Sequence, residues 1–276
     1  RSTLFPYTTL FRSPYSPLLV AVNAETRSAE DKARDKYRHP AEALEFWGLQ
    51  PGMTMLEVQP GEGWWTRILA PYARATGGKY YATAADLGNP ELSEGARQAR
   101  SDFEARYGGQ PDVYGEVQLV NFGAKSAPLP ADTFDFILTA RSVHGWMGGG
   151  IADKVLKDLY GALKPGGILA VEQHRAKPGE QDPKAASGYV TEAHVIELAQ
   201  NAGFELLERS EINANPADTA DHPFGVWTLP PTARTRPYSE GADAHDPKFD
   251  RTKYDAIGES DRMTLKFQKP AAPTAG

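Results

Sequence analysis

The chain has 276 residues, no cysteine, 40% hydrophobic and 24% charged residues, and a formal net charge of −6. That length can bury a sizeable core, and the lack of cysteine excludes disulfides, thiolate nucleophiles and cysteine-ligated metals. The acidic balance gives no broad pull toward nucleic acid or anionic membrane. No apolar run reaches the ~18 residues needed to span a bilayer, and the six histidines form no HxxxH or HxH pair, so neither a membrane span nor a metal site is expected.

The chain opens RSTLFPYTTLFRS, in which Arg1–Phe5 is echoed by Thr9–Ser13. Residues 3–13 look like a translated sequencing adapter, so residues 1–13 are set aside from the fold. Within residues 14–24, the apolar run Leu18–Val22 ends in Val22-Asn23-Ala24, a small-x-small pattern like a signal-peptidase site. It reads as the remnant of an export signal, which would place the mature protein in the periplasm or outside the cell. The other reading is a short buried strand or linker.

Residues 25–270 read as one domain. Ser28–Arg38 is charged and free of Gly and Pro, as a solvated helix would be. Pro40 opens a second helix carrying Ala43, Leu44, Phe46 and Trp47. Met53–Val58 is a short apolar strand ending in a Gly-rich turn. Thr66–Ala73 follows as a helix, Lys79–Thr83 as a strand, Pro90–Tyr107 as a long helix, then Tyr114–Phe122 and Phe134–Ala140 as strands. Ile151–Leu163 is an amphipathic helix leaving through Lys164-Pro165-Gly166-Gly167 into a strand, Ile168–Glu172. Thr191–Ala202 is a helix closed by Gly203, and Phe204–Ile212 a strand. Residues 213–261 dissolve into Pro, Asp, Thr and Gly, which suggests a lid or a poorly ordered insertion. Met263–Phe267 is the last strand and residues 271–276 a frayed tail. Alternating strands and helices predict an α/β fold with a mainly parallel sheet.

The chemistry is carried by the first turn, LEVQPGEGWW (56–65). Glycines there let backbone amides approach a ligand closely. A nicotinamide-binding GxGxxG reads poorly, because its third glycine falls on Thr66. A strand-closing acid, Glu57, followed by Pro60-Gly61-Glu62-Gly63 suits a different cofactor. Together with LKPGGILAVEQHR (163–175) and PLPADTFDFILTARSVHGW (128–146), this turn resembles class I S-adenosylmethionine-dependent methyltransferases over about residues 40–269. The blocks PGEGWWTRILAPY, KYYATAAD, VEQHRA, NAGFELLERSEINANPAD and DRMTLKFQKP resemble a bacterial group of often exported methyltransferases within that superfamily.

The resemblance implies a Rossmann-like seven-stranded sheet with an antiparallel last strand and helices on both faces. It also implies S-adenosylmethionine as cofactor; the leading function is methyl transfer to an unknown small-molecule acceptor, and the charge and hydropathy point to no nucleic-acid or membrane partner. The cofactor would be held by Glu57, Gln59, Pro60, Gly61, Gly63, Trp64, Thr83, Asp86, Asn121 and Ala140. Gln59 replaces the usual first glycine, and Thr83 stands where a ribose-binding acid ends the second strand, leaving Asp86 as its nearest substitute. His144, after the fourth strand, and His174, after the fifth, are the candidate bases, each with a structural role as the alternative. The rival function is a binding protein that keeps this fold without catalysis, with a dehydrogenase a distant third.

Overall fold

The computed structural model describes residues 16–241 and 244–271, so the adapter-like segment and residues 272–276 lie outside it. The described strands are β1 (Thr54–Val58), β2 (Lys79–Ala85), β3 (Val117–Phe122), β4 (Phe134–Ala140), β5 (Leu163–His174), β6 (Glu205–Ser210), β7 (Pro223–Val226) and β8 (Arg262–Gln268). Seven of them form one sheet in the order β3-β2-β1-β4-β5-β8-β6, and β7 stands outside it. β1 to β5 pair in parallel, while β8 runs antiparallel to both β5 and β6. This is the expected mainly parallel sheet with an antiparallel last strand.

Both sheet faces are covered, which is why the inner strands read as continuous apolar runs rather than alternations. Met55 of β1 joins a core with Leu18, Leu44, Trp47, Leu69 and Tyr72, whereas Leu56 and Val58 join one with Val143, Val155, Leu159 and Val195. The first core lies under α1 (Pro17–Val22), α4 (Pro40–Trp47) and α5 (Thr66–Thr76). The second lies under α8 (Val143–Gly148), α9 (Ala152–Ala162) and α10 (Glu192–Asn201).

Several boundaries differ from the sequence reading for local reasons. The charged stretch after Ser28 is two short helices, α2 (Ala29–Ala33) and α3 (Asp35–Arg38), joined at Arg34. The long helix after Pro90 starts at Glu94 as α6 (Glu94–Phe103), capped by the Ser93 hydroxyl, and ends in a π-turn over Glu104–Gly108. Pro111 opens a helical turn, α7 (Pro111–Tyr114), which shortens the strand expected from Tyr114 to β3. Lys164-Pro165-Gly166-Gly167 is already extended and belongs to β5. Leu18–Val22 is α1, with Leu18, Ala21 and Val22 buried in packing against α5.

The insertion at 213–261 is tied down by buried polar groups where it leaves and rejoins the sheet. Asn215 donates from its side-chain amide to the carbonyls of Ile257 and Glu259, at 2.9 and 2.7 Å. The Asp218 carboxylate accepts from the Tyr189 hydroxyl and, at 2.8 Å, from the Asp261 amide. Besides β7 it contains a further helix, α11 (Thr252–Ile257).

Because Leu18 is fully buried against α5, Leu18→Ala is expected to cost about 2–4 kcal/mol of unfolding free energy, read by chemical denaturation. An unchanged midpoint would mean that α1 contributes nothing to the core.

Candidate functional site

β1 ends at Val58, and the chain turns at Gln59 in the left-handed region, with φ 51°. That conformation is natural for glycine and strained for other residues. Gln59 is held there from both sides. Its amide donates to the Thr83 hydroxyl at 2.7 Å, and its side-chain oxygen accepts from the Trp146 indole at 2.7 Å. The substitution of Gln for glycine therefore ties the β1 turn to β2 and to α8 after β4.

Two cavities meet on Gln59, Pro60 and Gly61. One, of about 290 Å3, lies over the ends of β2 and β3 and is walled by Thr83, Ala84, Ala85, Phe122 and the Ala96–Phe103 side of α6. The other, of about 380 Å3, lies over the ends of β4 and β5. Ala140, Arg141, Ser142, His144 and His174 form its floor, and Arg34, Trp227, Thr232, Ser260 and Arg262 form its far wall. Gly61, at φ 57°, has nothing within 4 Å of where a side chain would begin, so its missing Cβ opens the seam between the cavities. Gly63 is glycine for another reason: a Cβ there would lie 2.2 Å from the Tyr107 hydroxyl.

The other expected cofactor residues divide. Thr83 and Ala140 line the cavities. Glu57 is buried beneath the turn, accepting from the Thr66 and Tyr80 hydroxyls at 2.9 and 2.6 Å. Burial pushes its carboxyl up to about 7, against the opposing pull of those two hydrogen bonds. Trp64 touches the second cavity but is 5% exposed, and the Arg27 and Arg38 guanidinium groups lie 5.1 and 4.7 Å from its ring centre. Asp86 accepts from the Gly88 amide and caps its own turn outside both cavities. Asn121 is exposed and accepts at 2.7 Å from Arg100, whose guanidinium also donates to the Ala85 carbonyl.

Both candidate histidines reach the second cavity, with ring centres 5.7 Å apart. The Gln173 side-chain oxygen accepts from the Val143 amide, so its NH2 group faces His144 Nδ1 at 3.2 Å. His144 Nδ1 is then an acceptor, and its proton sits on Nε2. His174 Nδ1 lies 2.6 Å from the Ser260 hydroxyl. Burial lowers both imidazole pKa values, that of His174 well below the usual range, with Arg262 and Arg141 adding to the effect. Sequence reasoning missed the arginines. Arg141 stands in the quoted stretch LTARSVHG and Arg262 is the second residue of DRMTLKFQKP, but nothing periodic marks either as a cavity residue.

Comparison with known proteins places this geometry. A family model described as a methyltransferase domain matches residues 56–171. The ubiquinone/menaquinone biosynthesis C-methyltransferase UbiE of Vibrio parahaemolyticus serotype O3:K6 is 26% identical over 210 residues, covering 75% of this chain and 68% of that one. Its counterpart from Vibrio vulnificus strain YJ016 is 30% identical over 173 residues, covering 62% of this chain but only 56% of its own length. Among solved structures, the [4+2]-cyclase SpnF aligns over 93% of both chains with a TM-score of 0.54 and 20% identity. The chain has the class I methyltransferase fold, its residues 56–171 match a methyltransferase domain, and the cofactor that match implies is S-adenosylmethionine.

The residues present fit that cofactor. The seam over Gly61 is open, and the Ala84, Ala85, Ala96, Ala99 and Phe122 walls suit a flat nucleobase. No carboxylate lines that cavity; Gln59, Thr83 and Arg100 are its polar lining.

Glu57 also sets a pH dependence. Its folded pKa, about 7, lies above the ordinary 4.5, so its contribution to stability is full below pH 4.5 and is lost as pH rises through 7. Glu57→Gln should remove a stability difference of about 3 kcal/mol between those limits, measured as the pH dependence of the denaturation midpoint of variant minus wild type. Parallel pH curves would show that Glu57 titrates alike in the folded and unfolded chain.

Proposed function

We propose that this protein transfers a methyl group from S-adenosylmethionine to a small-molecule acceptor held over the ends of β4 and β5. One observation carries the reading: an apolar cavity of nucleoside size and a polar one meet on the left-handed Gln59-Pro60-Gly61 turn. Bound there, the cofactor supplies an electrophilic methyl group on a sulfonium. The chain must hold the acceptor in line with it and keep competing water out.

The protein residues divide those tasks. Pro60 and Gly61 bring backbone close to the ligand, while Ala84, Ala85 and Phe122 pack the nucleoside side. Trp227 and Thr232, from the insertion, roof the acceptor side. If the acceptor arrives protonated, His174 can take the proton. In the tautomer whose Nδ1–H faces Ser260, Nε2 carries the lone pair, and the lowered pKa keeps the ring neutral near pH 7. His144, with Nδ1 committed to Gln173, offers an Nε2–H donor instead.

The rival reading as a non-catalytic binder drew on Gln59 as an eroded glycine. Its two hydrogen bonds, to Thr83 and from Trp146, favour a built-in residue over an eroded one. The burial of Leu18, Ala21 and Val22 likewise favours retention of α1 in the working protein over removal after Ala24. N-terminal sequencing of the natural gene product decides that point, and a mature start at Glu25 would restore the export reading.

Isothermal titration with S-adenosylhomocysteine tests the cofactor assignment. Gly61→Ala should unfold within about 1–2 kcal/mol of wild type, since only its positive φ resists a side chain, yet bind at least about tenfold more weakly. Absence of binding by the wild type at millimolar ligand would overturn the proposed activity.

A further inference from the structure

The lining of the acceptor cavity holds more positive charge than the chain neutralises. Arg34, Arg141 and Arg262 line it, with Arg38 directly behind. Only two buried carboxylates answer them. Glu259 pairs with Arg34 at 2.7 Å, with Arg38 at 2.8 Å and with Arg262, while Glu172 lies 3.2 Å from the second Arg262 nitrogen. The remaining acid on the rim, Glu62, is exposed and turned to Arg106. Four guanidinium groups thus face two buried acids.

Two observations aim this excess into the cavity. Arg141 makes no side-chain hydrogen bond or ion pair among the described residues, and it sits at φ 60° directly after β4, a strained backbone for a non-glycine residue. Arg262 is 1% exposed and borders the cavity; its Nη1 is ion-paired with Glu172, but its Nε has no hydrogen-bond partner. Unpartnered buried donors are costly unless a ligand completes them. The Ser142 and Ser260 hydroxyls border the same space. A sulfonium cofactor would add further positive charge beside this wall, which raises the need for an anion there.

We infer that the methyl acceptor carries an oxyanion, a carboxylate or phosphate, received by Arg141 and Arg262 between the Ser142 and Ser260 hydroxyls. This rests on the methyltransferase reading, and it names the substrate class for that site. Arginine suits the task because its planar fork meets either oxyanion with two hydrogen bonds. The anchor is distinct from the cofactor seam at Gly61, so both should be occupied together.

The test is titration of the protein saturated with S-adenosylhomocysteine, at fixed ionic strength in sodium chloride, with inorganic phosphate in one arm and benzoate in the other. At least one anion is expected to bind at a single site, and the arm that binds tells a phosphoryl from a carboxylate acceptor. Arg141→Met should weaken that anion by at least about tenfold and Arg141→Lys by less, with S-adenosylhomocysteine affinity within about threefold of wild type in both. Thermal unfolding of each variant establishes that it is folded. No binding of either anion, competition between anion and S-adenosylhomocysteine, or loss of S-adenosylhomocysteine binding in folded Arg141→Met would each overturn the inference. The last two would assign Arg141 to the cofactor's own carboxylate. Should wild type fail to bind S-adenosylhomocysteine, the proposed activity falls. The same titration of the free protein then judges the arginine wall by itself: anion binding lost in Arg141→Met supports it, and none in wild type overturns it.

Discussion

The buried carboxylate of Glu259 is the interaction on which the geometry of the site depends. It receives Arg34 and Arg38 from the N-terminal helices and Arg262 from the start of β8, while it sits at the end of the insertion. Burial alone would raise its pKa. The three guanidinium groups reverse that and hold it well below the ordinary carboxylate range. Taking such charges out of water is costly, and removing one partner of a buried pair exposes the other's full desolvation penalty. The network therefore locks the N-terminal helices to the junction of the insertion with β8, and that wall closes the acceptor cavity.

The opposite side of the site is set by backbone rather than by charge. Parallel strands β1 and β4 are neighbours, so the turns that leave them, at Gln59 and Arg141, open onto the same space. Both residues are left-handed without being glycine. Such strain, on the order of 1–3 kcal/mol each, persists where the surroundings over-determine it, and it gathers at functional sites. The surroundings are visible here. Thr83 and Trp146 fix Gln59, and the Arg141 amide donates to the Glu172 carbonyl at 2.7 Å.

Much of this was legible in the sequence because periodicity and punctuation are local signals. β4 has the predicted bounds, Phe134–Ala140, and β1 differs by one residue at its start. The antiparallel last strand followed from the resemblance and is found as β8. The Gly-rich turn and both histidines lie at the cavities, as their positions after β1, β4 and β5 implied. Errors came at boundaries, as at Pro111, which opens a helical turn running to Tyr114, where the strand was expected to begin. The insertion and the arginine wall were illegible for a different reason. Residues 213–261 carry no periodic apolar face, and they are fixed by polar contacts such as Asn215 to Glu259 and Asp218 to Asp261. Arg38 and Glu259 meet across 221 positions of chain, and no spacing rule reaches that far. Asp86 was chosen by its distance from the glycines and Asn121 from the resemblance; Asp86 accepts from its own turn and Asn121 from Arg100.

The most direct test is a crystal structure of the protein with S-adenosylhomocysteine. The account predicts the ligand across the Gly61 seam, with its adenine among Ala84, Ala96 and Phe122 and its sulfur facing the cavity over β4, where Arg141 and Arg262 stay free of it. Adenine in the cavity lined by His144 and His174, or a homocysteine carboxylate seated on Arg141, would contradict it.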